Sequence, residues 1–176
     1  MSSSREEAFF GGAWRDDDER IDVYALFVLE EIALTDIENV LRRNEEDLGS
    51  ASLWLADDYN NLPDFQLDNP PASGTTAPLA PEWQSPFLAK TAQDAAEFLR
   101  SVPKPRKPLC KTYFAILDKA LYREHDQLLV CKVVNGEVQS IPCAAPCVGV
   151  FFTGHDRNTW NQSLYNWQED GMVLMA

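Results

Sequence analysis

Basic residues are scarce in this 176-residue sequence: 15 Lys and Arg stand against 28 Asp and Glu, for a formal net charge of −13. Such a chain repels phosphate backbones and anionic headgroups at long range, which argues against a nucleic-acid or membrane-surface binder. Long apolar runs are missing too. None approaches the roughly 18 residues that a membrane-spanning helix needs. Histidine occurs only twice, and no G-x-S-x-G, Walker or G-x-G-x-x-G pattern is present. The nucleophile elbow, the phosphate loop and the dinucleotide fingerprint are therefore excluded as sources of activity. The opening residues, Met1 to Glu7, carry neither the basic nor the apolar stretch of a secretory signal, so a cytoplasmic protein is expected.

Cysteine is limited to Cys110, Cys131, Cys143 and Cys147. Cys143 and Cys147 form a C-x3-C pair between prolines. The other two are isolated, whereas structural zinc favours two close ligand pairs. Free thiols and no metal site are the expectation for this compartment. What is abundant is apolar: 45% of residues, 11% aromatic. That suffices for the core of one ordinary domain without staples.

The charge is unevenly placed. Residues 1–70 hold 18 acids and five bases, a difference of −13, so residues 71–176 are neutral. The densest run is Asp16-Asp-Asp-Glu19. Residues 1–20 read as a flexible acidic arm, and 21–176 as a single domain with a Pro-rich surface loop at 69–86. Pro103-Lys-Pro-Arg-Lys-Pro108 is a short basic counterpart.

Within the domain, Ile21–Leu29 has the length and apolarity of a buried strand, but periodicity equally permits a helix. Thr35-Asp-Ile-Glu38 has the form of a capping box opening a helix over 36–47, with Gly49 as its stop. Ala51–Ala56 reads as a strand. Thr91 with Asp94 opens a second helix, ended by Pro103. Thr112–Leu117 is a central strand, and Asn135-Gly136 marks a hairpin between 128–134 and 137–141, because a type I′ turn needs two positive φ values. In that register Leu129, Cys131, Val133 and Val138 share one face, taken as the core side, with Cys143 on the other. Val148–Phe152 reads as a further strand. Trp160, Leu164 and Trp167 mark a helix over 158–168, and Met172–Met175 an edge strand. The predicted class is α/β (α+β): a single mixed β-sheet with about three helices, one βαβ unit and a C-terminal hairpin.

This order of elements resembles a family of small acidic α/β domains of unknown function. The likeness is carried by Trp54-Leu-Ala-Asp-Asp-Tyr59, Leu99-Arg-Ser-Val-Pro103, Phe114-Ala-Ile-Leu-Asp118, Ile141-Pro142 and Trp160 with Glu169-Asp-Gly171, over roughly residues 24–175. It implies an α/β fold and supplies no catalytic residues.

Chemistry is expected where parallel strands end. The strands at 51–56 and 112–117 would bring Asp57, Asp58, Asp118 and Lys119 to one sheet edge, and the loop holding His125 returns there. Asp58, Asp118 and His125 are the candidate catalytic groups, because clustered carboxylates hold Mg²⁺ or raise one another's pKa, and histidine serves as base or ligand. Asp57 and Lys119 are candidate binding residues. His155 and Asp156 form a second candidate, although neighbours in sequence rarely adopt the geometry of a base and its orienter. The sequence names no cofactor. The reading it favours is a binding or regulatory module for a protein or small molecule. The rivals are a small accessory enzyme of a specialised small-molecule pathway working at the acidic edge, and an acidic docking or nucleic-acid-mimic protein.

Overall fold

In the computed structural model, which describes residues 23–49, 51–57, 74–102, 109–154 and 159–174, the ambiguous N-terminal segment is a strand. Val23–Phe27 (β1) is buried along its whole length. A strand covered on both faces shows a continuous apolar run instead of alternation, which is why its pattern was ambiguous. The other strands are Leu53–Leu55 (β2), Leu109–Ile116 (β3), Gln127–Val134 (β4) and Glu137–Ala144 (β5). They form one mixed sheet in the order β2-β1-β3-β4-β5. Both β2 and β3 run parallel to β1, while β4 and β5 are antiparallel additions. The strands of the expected βαβ unit, β2 and β3, thus share a direction but are separated by β1.

Five helices are described, more than the three expected: Leu34–Leu48 (α1), Ala92–Ser101 (α2), Lys119–His125 (α3), Val148–Gly154 (α4) and Trp160–Asp170 (α5). They lie in layers on the two faces of the sheet. On one face, Tyr24, Leu26, Leu53 and Leu55 meet Ile37, Val40 and Leu41 of α1, with Phe152 and Trp160 from α4 and α5. On the other, Ala25, Phe27 and Trp54 meet Ala95, Ala96 and Leu99 of α2, together with Phe87. Phe27 packs edge-on against Phe87, Phe98 and Phe114 at centroid distances of 5.0, 6.1 and 5.4 Å. Each such buried ring is worth about 1.5–3 kcal/mol against exposure.

Three local expectations change. The segment Val148–Phe152 is helical, not a strand. A short apolar run does not distinguish the two, and here a 3-10 turn, Ala145–Cys147, leads the chain into α4. At the start of α1 the Thr35–Glu38 box does not form. The helix begins at Leu34 with Ala33 as N-cap, and the Glu38 carboxylate instead accepts from the Leu79 amide at 2.8 Å. At α2 the box forms in full, Asp94 N–H to Thr91 Oγ1 at 3.1 Å and Thr91 N–H to Asp94 Oδ2 at 2.9 Å.

The hairpin turns as expected, with φ of 53° at Asn135 and 83° at Gly136. Its deeper face is the opposite one from that expected. Leu128, Val130, Ile141 and Cys143 are fully buried, whereas Leu129, Val133 and Val138 are half-buried around Cys131. Among the described residues the C-terminal edge strand is represented by one bridge, Leu174 with Cys143. The acidic arm at 1–20 and the basic stretch 103–108 lie outside the described residues. No helix among the described residues is long and apolar enough to cross a membrane.

One buried polar side chain ties two elements of the same layer. Asn44 of α1, buried, donates from Nδ2 to the carbonyls of Val40 and Ala145, both at 2.9 Å, and accepts from the Gly149 amide at 2.7 Å. One side chain thereby joins α1 to the start of α4. Replacing Asn44 by Ala should cost about 2–3 kcal/mol, because the Ala145 carbonyl and Gly149 amide are left buried without partners; urea unfolding should show a lower midpoint at unchanged slope.

None of the four cysteines is in a disulfide, and only Cys147 is half-buried. Burial raises the Cys131 and Cys143 thiols from the usual 9.0 to about 12, Cys147 adding to the effect on Cys143. The fold thus favours neutral thiols. That contribution is whole below pH 9.0 and is lost as pH rises toward about 12. Native alkylation read by mass spectrometry should label Cys147 first and the other three only on unfolding.

Candidate functional site

The connection from β2 to α2 crosses the carboxyl end of the sheet, and its described part, residues 74–90, is a strap fixed at many points. It starts along the edge of β2: Gly74 and Thr75 amides donate to Ala51 and Leu53 carbonyls, each at 2.8 Å, and Thr75 Oγ1 accepts from the Leu55 amide. It is then held over α1 by Glu38. The Trp83 indole N–H donates to Asp57 Oδ2 at 3.2 Å. Ser85 Oγ donates to the Val28 carbonyl at 2.6 Å, and the Ala89 amide to the Leu29 carbonyl at 2.9 Å. Phe87 finally enters the core on the α2 side. The segment read as a surface loop is therefore the path by which the chain passes from one face of the sheet to the other.

Between this strap, the end of β1 and the start of α1 lies a cleft of about 400 Å³. Buried Val28 and Ile37 and half-buried Ile32, Leu34 and Leu88 give its apolar lining. Half-buried Trp83 and the exposed Glu30, Glu31 and Glu82 give the rest. Its position follows from topology. From β1 the chain moves to β2 by way of α1 on one face, then returns past β1 to β3 by way of α2 on the other. The loop after β1 and the connection after β2 therefore part toward opposite faces, and open α/β sheets place ligands in crevices at the carboxyl ends of their strands. Glu30 ties the loop after β1 to the one after β3, accepting from the Lys119 amide at 2.9 Å.

The sequence-predicted rim residues have other roles. Asp118 is the N-cap of α3, accepting from the Leu121 amide at 2.9 Å. His125 is exposed at the far end of that helix. Its neighbour Asp126 holds Arg43 of α1 through two bonds of 2.7 and 3.0 Å. This bond, with the attraction of the Asp126 charge, raises the Arg43 pKa further above its usual value. Half-exposed, the pair is worth no more than about 1 kcal/mol and chiefly orients α3 against α1. Asp57 is committed to Trp83, and Lys119 meets Glu30 through its backbone. Asp58, His155 and Asp156 lie outside the described residues. Among the described residues no three His, Cys, Asp or Glu side chains converge as a metal site would require.

The cleft residues Glu30, Glu31, Glu82 and Trp83 were not singled out in the sequence. Glu30-Glu31 directly after the apolar run 23–29 was the available signal, and it becomes legible once that run is known to be a strand. No family model, curated protein or solved structure matches the chain.

The strap's anchorage depends on Gly74, where a Cβ would collide with the backbone of Leu53. Gly74→Ala should loosen the strap at a cost of about 1–3 kcal/mol. Amide exchange should accelerate at Thr75 and Leu55 while the β3–β4 pairing keeps its protection; uniform acceleration would mean the strap is not a separate unit.

Proposed function

We propose that this protein is a small binding or regulatory module whose ligand site is the cleft beneath the strap, and that it acts by holding a small molecule or a partner's side chain there. The observation that carries this reading is the coincidence of the cleft with the reversal of strand order at the carboxyl end of β1. Its volume, about 400 Å³, is within the range of small-ligand sites.

The rival enzyme reading draws less support. A reaction needs groups converging on one point, and the Asp118 carboxylate is spent on a helix cap while Asp57 is spent on Trp83. The likeness to small acidic α/β domains over residues 24–175 belongs to the same proposal, and the α/β sheet supports it. A cytoplasmic setting, in which the four thiols would stay reduced, belongs to the same proposal.

A fragment screen by amide-resolved NMR tests the assignment. Hits should perturb Ile32, Leu34, Ser85 and Leu88, and Asp118→Asn with His125→Gln should leave their binding within about twofold, the size of an ordinary surface substitution. Hits that map instead to the Asp118–His125 end, and vanish in that double variant, would return the site to the acidic rim.

A further inference from the structure

We propose that the cleft takes an aliphatic cation: a protonated amine or a guanidinium carried on an apolar stem. The inference rests on the cleft being the ligand site and adds the chemistry of what it holds. Not all the acids around the cleft are equally available. Glu30 already accepts from the Lys119 amide, Glu38 from the Leu79 amide and Asp57 from the Trp83 indole. Glu31 and Glu82 line the cleft from separate elements, the loop after β1 and the strap, and neither has an ion-pair or hydrogen-bond partner among the described residues. Lys, Arg and His are absent from its described lining. An anionic ligand would therefore meet uncompensated negative charge, whereas a cation would meet two free carboxylates.

The remainder of the lining suits the rest of such a ligand. Ile32, Leu34 and Leu88 are half-buried apolar groups that an alkyl stem can cover. The Trp83 N–H is occupied by Asp57, so what this residue has left for a ligand is its aromatic surface, which attracts cations. Both carboxylates are exposed, so each contributes modestly and the attraction is screened by salt. Confinement of the stem has to supply the rest of the affinity.

The indole N–H resonance of Trp83, identified by its loss in Trp83→Phe, is a local reporter. Butylamine and agmatine should shift it saturably, and butyrate should not. The Glu31→Gln, Glu82→Gln double variant should weaken amine binding about tenfold, roughly threefold per carboxylate, and added salt should weaken it in the native protein. Both replaced residues are exposed, so an unchanged thermal midpoint would show that the variant is folded. A capped Gly-Lys-Gly tripeptide binding more tightly than agmatine would identify the cation as a partner's side chain; the reverse order would identify it as a free amine. Butanol or butyrate binding as well as butylamine would overturn the cationic ligand yet keep the cleft as a site. No shift from any probe would overturn both.

Discussion

Everything above the level of single elements follows from the burial of β1. Five consecutive apolar residues in the interior of the sheet must be kept from water on both faces, and one helix cannot do that. The chain covers one face with α1 and then has to reach the other to lay down α2. The strap is that passage. Because it crosses over the end of β1, it bonds to the Val28 and Leu29 carbonyls, which no neighbouring strand takes up there, and leaves a cleft beside them. The candidate site is thus a consequence of how a doubly covered strand is packaged.

The polar side chains that matter most to the architecture are not the conspicuous ones. Asn44 sits in a charged stretch of helix and has no sequence signature, yet its three hydrogen bonds fix the entry of α4. Glu38, in position for a capping box, is recruited across space to the strap. For Glu38 a tertiary partner outcompetes a local one, because a partly buried backbone group without a partner costs more than an exposed helix end that water can solvate. Asp118 shows the converse: placed to suggest chemistry, it satisfies the nearest orphan amide.

Much of the fold was legible. The Thr91–Asp94 box, the Gly49 stop, the Asn135-Gly136 turn and the hairpin register are encoded by residues a few positions apart, and all formed as read. The cleft opens at the carboxyl ends of the parallel strands, the sheet edge at which chemistry was expected. Its lining was not legible because the identity of 21–29 was open. Without that strand, Glu30-Glu31 had no location, and Glu82 and Trp83 stood in what looked like a surface loop.

The sequence by itself therefore determined the α/β class, several of the turns and caps, and the concentration of acid in its first 70 residues. These depend on composition and on near neighbours. Only the tertiary structure decided that Val148–Gly154 is a helix, that the inner face of the hairpin is the one bearing Val130, and that Glu31 and Glu82 share a cleft with Trp83. The physical reason is the same in each: which of two locally equal arrangements wins is set by the groups that distant segments bring alongside, and an apolar run carries no record of them.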